Sequence, residues 1–243
     1  PRWAVMQQIR DIFDVRFISR QTLDIPPEID VLMLVNPKKF TDETLYAIDQ
    51  FLMRGGTMLV LIDPLSEVEI ASGEAPYSVS PDMTRLFDAW GISFNPNVFV
   101  GDAGLARSSV KTIDGKTIQT KFPPWIAVDA KHMNPQDPVT GSLTEVNLSY
   151  AGHFTVKNQV DGLSVAPLLM SSQDSQLFPI KEGLRADVAD LARRLKPSGK
   201  NYALGVRIKG TPDSAFDKAP TRNFLAQRTQ AHIAKAVKPT NIV

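Results

Sequence analysis

Val31-Leu32-Met33-Leu34-Val35-Asn36-Pro37, then Thr41-Asp42-Glu43-Thr44-Leu45, then Thr57-Met58-Leu59-Val60-Leu61-Ile62-Asp63-Pro64 carry the clearest structural pattern in the chain. Two continuous apolar runs, each stopped by a polar residue and a proline, carry the signature of strands buried on both faces of a mainly parallel sheet. Between them Thr41 can cap orphan amides, Asp42 and Glu43 suit the positive end of a helix dipole, and Leu45, Ile48, Phe51 and Leu52 make one apolar face. Gly55-Gly56 stops that helix as a left-handed cap would. Residues 31–64 therefore read as one strand-helix-strand unit, with a right-handed crossover and parallel strands.

Upstream, Trp3, Met6, Ile9, Ile12 and Phe13 fall on one helical stripe, and residues 15–18 alternate as a short strand does. Downstream, residues 65–80 read as a Ser, Glu, Pro and Gly-rich loop. Residues 81–90 resume helical spacing at Met83, Leu86, Phe87 and Trp90, and Asn97-Val98-Phe99-Val100 is a third strand. The alternation predicts an α/β fold, a mainly parallel sheet flanked by helices. Past Gly101 the pattern shortens: residues 109–113 and 116–121, joined by Asp114-Gly115, predict a hairpin in a β-rich insertion at about residues 103–160. Prolines crowd residues 122–152, which read as mostly loop. Residues 166–171 and 202–208 are further strands, residues 184–195 a solvated helix, and residues 238–243 a strand just beginning. The chain opens at Pro1 rather than Met, so residues 1–243 read as a single α/β domain of a longer protein.

Composition limits the chemistry. The 243 residues are 43% hydrophobic and 22% charged, enough apolar material for a packed core. Lys+Arg 27 against Asp+Glu 26 leaves a net charge of +1, too little to draw nucleic acid or an anionic membrane by bulk charge. Absence of cysteine removes disulfides, thiolate metal sites and cysteine nucleophiles. Strictly aliphatic runs reach about five residues against the roughly 20 a membrane helix needs.

No GxGxxG or GxxxxGK[ST] motif occurs, and Pro37 removes an amide donor where a phosphate cradle wants one. Lys38-Lys39 reads as a solvated pair, and the basic stretch from Lys218 onward as a solvated tail or helix face. Gly162-Leu163-Ser164-Val165-Ala166 falls one residue short of a nucleophile elbow. His132, His153 and His232 lack metal-ligand spacing. Asn147-Leu148-Ser149 fits a glycosylation sequon too short to weigh. No catalytic residue, cofactor or metal follows. One location carries a ligand argument: open α/β sheets form crevices beyond the carboxyl ends of parallel strands, and Asn36 and Asp63 stand there. They are either hydrogen-bonding groups for a polar ligand or, more simply, turn-starting residues before proline.

The strand-helix-strand residues quoted above, including Leu45-Tyr46-Ala47-Ile48-Asp49-Gln50-Phe51-Leu52-Met53-Arg54-Gly55-Gly56, resemble the GldG-like family, auxiliary components of an uncharacterised ABC-type transport system linked to gliding motility. Phe122-Pro123-Pro124-Trp125, Asn134-Pro135-Gln136-Asp137-Pro138-Val139-Thr140 and Tyr202-Ala203-Leu204-Gly205-Val206-Arg207-Ile208-Lys209-Gly210 extend the resemblance over most of the chain. It implies a Rossmann-like, three-layer fold related to class I glutamine amidotransferases, without their catalytic cysteine. It also implies a soluble region held on the periplasmic, extracytoplasmic face by membrane segments, beside permease and ATPase subunits. The expectation is a non-enzymatic domain acting through protein or polysaccharide contacts, in gliding or in envelope assembly. Two rivals stand beside it: a solute-binding module for a sugar or peptide at Asn36 and Asp63, and a hydrolase using carboxylates such as Asp63 or Asp102.

Overall fold

In the decisive stretch strand, helix and strand form where the pattern puts them, but the strands are buried on one face and not on both. The computed structural model describes residues 4–72, 83–113, 116–157, 160–184, 188–220 and 231–243. Its first half holds α1 (Ala4–Arg10), β1 (Val31–Val35), α2 (Asp42–Met53), β2 (Thr57–Leu61), α3 (Glu67–Ser72), α4 (Met83–Ala89), β3 (Ile92–Phe94) and β4 (Val98–Asp102). Then follow β5 (Ala106–Ile113), β6 (Lys116–Asp129), a 3-10 turn at Ala130–His132, β7 (Glu145–Ser149), β8 (Phe154–Val156) and β9 (Leu163–Met170). Last come β10 (Ser175–Pro179), α5 (Ile180–Gly183), α6 (Val188–Arg194), β11 (Ala203–Gly210) and β12 (Thr240–Ile242).

β1 and β2 pair in parallel, Val31 opposite Thr57 and Val35 opposite Leu61. β12, where the chain pattern promised a strand, takes the other edge of β2, again parallel. Thr41 caps α2 by accepting a hydrogen bond from the Thr44 amide at 3.3 Å. Gly55, at φ 87°, ends it in a Schellman arrangement: the Gly55 amide donates to Leu52 O at 2.8 Å and the Gly56 amide to Phe51 O at 3.1 Å. Every residue of α2 from Thr44 onward is buried, because irregular chain wraps its outer side. Thr44 Oγ1 donates to Arg20 O and Thr22 O, Arg54 to Ile25 O, and the Gln50 amide exchanges bonds with Ile233. Leu45, Ile48, Leu52, Met58, Trp90, Ile208 and Ile242 meet in the main core, while Phe99, Phe122, Tyr150 and Phe178 form a second one.

Several expectations are corrected. The main sheet runs β1-β2-β12-β11-β8-β3 with β9 on β11, and only its first three strands are parallel. β11 opposes β12, β8 and β9, so the sheet is mixed where a mainly parallel one was expected. β4, the third strand candidate, leaves that sheet and pairs antiparallel with β10. Residues 122–152 are not mostly loop: β6 runs through Pro123-Pro124 to Asp129, and β7 pairs with it. The prolines sit where the β5–β6 register jumps from Arg107↔Phe122 to Ala106↔Ile126, a bulge that asks no ladder amide of them.

Part of the expected loop at 65–80 is α3. Residues 15–18 form no strand, since no described strand lies alongside to complete a ladder, and Phe17 stays 76% exposed. Of the helix expected at 184–195, the described part is α6, while Leu184 caps the short α5. On the sheet face away from α2, Val31, Val35 and Leu61 are 54%, 63% and 46% exposed, so among the described residues no second helical layer covers these strands, where the expected three-layer fold would place one. Trp3, residues 73–82 with Pro81, the Asp114-Gly115 turn, residues 185–187 and part of the basic tail (221–230) lie outside the described residues.

Candidate functional site

The ends of β1 and β2 point toward one polar cluster. Asn36 leaves β1 with a left-handed backbone, φ 46°, and its amide donates to Leu61 O at 2.7 Å, so the two strand ends are stitched together. Asparagine tolerates that conformation better than most residues. Lys39, at φ 52°, repeats the left-handed turn before α2. On the β2 side, Pro64 and a short turn lead into α3, which carries Glu67 and Glu69 back over the strand ends.

Glu69 is the hub. Its Oε1 accepts from Asn36 Nδ2 at 3.1 Å and pairs with the Lys38 ammonium, while its Oε2 is buried with no hydrogen-bond partner among the described residues. Trp125 Nε1, on β6, donates to Glu67 Oε1 at 2.8 Å. Asp63 keeps solvent contact, yet partial removal from water, then the negative charges of Glu69 and Glu67, push its carboxyl up to about 6. The like charges raise it whatever its exact burial. Tyr150, buried beside the cluster at φ 48°, is pushed up to about 12 by burial and by Glu67. The site is thus an acidic shelf with one lysine, one indole N–H and one carboxylate that readily takes a proton.

Asn36 and Asp63, singled out in the sequence, both adjoin Glu69. Sequence reasoning missed Glu67 and Glu69, although an acidic pair directly after Asp63-Pro64 was visible; Trp125 and Tyr150 carried no local signal. Lys38 is paired rather than merely solvated. Asp102 does not join them: fully buried, it accepts from the Leu105 amide at 2.9 Å and from the Ser172 amide and hydroxyl at 2.7 Å each. A depression of about 380 Å³ lies elsewhere, at residues 131–134 and Asn201, so the concave pocket expected at Asn36 by the solute-binding rival is not the one found there.

The remaining candidates fall apart in space. Ser164 lies inside β9 opposite Lys209, on no strand-to-helix elbow. His132 bonds Asp129, His153 packs on Tyr202 at 5.3 Å with its pKa lowered by burial, and His232 Nδ1 sits 3.1 Å from the Tyr46 hydroxyl. Among the described residues no three His, Asp or Glu groups converge as a metal site needs, and no helix is long and apolar enough to cross a membrane. Asn147 accepts from Arg107 within the β6–β7 sheet.

Comparison with known proteins places this geometry in a wider setting. A family model described as an ABC-type uncharacterized transport system matches residues 1–243. An uncharacterized protein of Borreliella burgdorferi is similar at 22% identity over 221 residues, covering 88% of this chain and 42% of that protein. The chain therefore spans less than half the length of this relative. Among solved structures, the mmIFT52 N-terminal domain is similar with a TM-score of 0.44 and 12% identity, over 71% of this chain and 66% of that one.

Proposed function

We propose a function from one premise: the chain belongs to the ABC-type uncharacterized transport system family, and so to an auxiliary component of such a system. On that premise the domain is non-enzymatic and works by contact. It stands on the extracytoplasmic, periplasmic face of a membrane-anchored protein and docks against the permease and ATPase assembly, with gliding motility or envelope construction as the process served. The parallel β1–α2–β2–β12 core supports kinship with amidotransferase-like folds as part of the same reading.

The observation that carries the contact reading is the bare side of β1. Among the described residues this strand ends the sheet with no ladder partner on its outer backbone edge, and it contains neither charge, proline nor bulge to discourage pairing. Val31, Val35 and Leu61 add an exposed apolar face beside that edge. Co-expression with a permease and an ATPase of such a system tests the reading. Val31→Asp/Val35→Asp should cut co-purification by about tenfold while leaving circular dichroism unchanged. Full co-purification of the double variant would remove β1 from the interface.

The hydrolase rival keeps one supporting observation, the raised Asp63 carboxyl beside Glu67 and Glu69. Turnover of glycan or peptide substrates that vanishes in Asp63→Asn would favour it over the contact reading.

A further inference from the structure

We propose that two copies of this chain join through β1, edge to edge and antiparallel, about a two-fold axis at Met33. This pairing rests on the contact reading of β1 and names the chain that takes its backbone edge. The apolar face beside that edge, with Leu61, stays open to the transporter subunits.

The free backbone groups set the register. The Asn36 amide donates to Leu61 O at 2.7 Å with Val35 opposite Leu61, so Leu32, Leu34 and Asn36 turn their backbone groups toward β2. Val31, Met33 and Val35 turn theirs outward, where no strand lies alongside among the described residues. An antiparallel neighbour exchanges both bonds only between residues that each face outward. A two-fold axis at Met33 meets that condition along the whole strand: Met33 opposes Met33 of the second copy, and Val31 opposes Val35 of the second copy. Slid by two residues one way, Val31 would face Pro37, which has no amide to give. Slid the other way, Val35 would face Ile29, whose amide is already given to Pro26 O at 3.1 Å.

Side chains and charge fit the same register. The strand is a palindrome, Val-Leu-Met-Leu-Val, so exposed Val31 meets exposed Val35 across the axis, and Leu32 and Leu34, which pack toward the main core, meet each other. Asp30 precedes β1 and Lys39 follows its end. Both are exposed and neither has an ion pair among the described residues, whereas Glu28 is paired with Arg16 and Lys38 with Glu69. Asp63 follows β2 and Glu67 is held by Trp125 of β6, both inboard of this edge. The antiparallel sense brings Asp30 of each copy to the end that carries Lys39 of the other. Five residues a side make a short ladder, less than the about 800 Å² per partner of a stable interface, so free chains pair when concentrated and separate on dilution.

The chain has no cysteine, so single thiols report the register. Under mild oxidation at about 1 mM, whole chains carrying Met33→Cys should form a disulfide dimer, because Cα atoms of a hydrogen-bonded antiparallel pair lie about 5.5 Å apart, within disulfide reach. Val31→Cys alone and Val35→Cys alone set their thiols about 13 Å apart and should cross-link at least about tenfold more slowly, yet the two mixed should recover most of the fast rate. A Met33→Cys rate no faster than that of Val31→Cys, or a mixture as slow as its components, would overturn the pairing. Co-purification with permease and ATPase without the Met33→Cys cross-link in that complex would contradict the pairing alone. A cross-linked chain that co-purifies with neither subunit would contradict the transporter reading alone.

Discussion

Asp63, still exposed, and Asp137, buried, are two carboxyls that their surroundings shift in opposite directions. Asp63 is partly withdrawn from water and has like charges for neighbours, so the folded state holds its proton up to about pH 6, above the ordinary aspartate range. A folded state that binds more protons than the unfolded one loses stability as pH rises through that window, here from about 4 to 6. Asp63→Asn should therefore gain stability over the parent as pH climbs, reaching under about 1 kcal/mol at pH 7 because solvent still screens the side chain. Urea titrations at several pH values check this; a gain that is the same at pH 4 and pH 7 would contradict it. Asp137 instead meets the Arg207 guanidinium, Nε at 2.5 Å and Nη2 at 2.7 Å, with Nη1 reaching Asn241 at 2.6 Å. That bidentate bond holds the Asp137 carboxyl below its usual range, so its contribution is present above the ordinary aspartate value and fades as pH falls. Both side chains are only 6–8% exposed, which makes this a buried ion pair. Arg207→Met alone should cost about 3 kcal/mol, and adding Asp137→Leu should recover much of it. A double variant as unstable as the single one would show that the pair itself stabilises the fold.

At the level of elements, what could be read ahead depended on whether a segment's reason for its shape was local. Val31–Val35, Asp42–Met53 and Thr57–Leu61 declared themselves through continuous apolar runs, a threonine cap and a glycine stop, and all three stand where expected. Gly55 is the sharpest of these signals: at φ 87° an added Cβ would also lie 2.7 Å from Lys238 Cβ. Gly55→Ala should cost about 1–2 kcal/mol, seen as a lower urea midpoint at unchanged m-value. A midpoint equal to the parent's would mean the cap relaxes freely. Segments whose shape comes from distant partners were illegible. Pro123-Pro124 reads as loop until β5 and β7 are known to flank it, and residues 15–18 alternate like a strand but have no described neighbour to pair with. The candidate site divides likewise. Asn36 and Asp63 were visible from strand ends, whereas Trp125, some 60 residues on in the chain, arrives only by folding. Asp102 kept its acidic promise in sequence and lost it in space, its oxygens committed to Ser172 and Leu105.

For the whole molecule, the parallel β1-β2-β12 core, its α2 cover and the mixed strands beyond form a scaffold with one side left open. Family membership sets the domain in an ABC-type transport system, and the open β1 edge with Val31, Val35 and Leu61 is the surface through which we place its contacts. Backbone amides that lack a ladder exchange with solvent quickly, and pairing or burial slows them. Hydrogen–deuterium exchange of the purified domain and of the complex with permease and ATPase, followed at residues 31–35, puts that placement to the most direct test. Exchange on β1 should slow in the complex, together with that of Asn36 beside Glu69; identical β1 exchange in the free and assembled states would remove β1 from the interface.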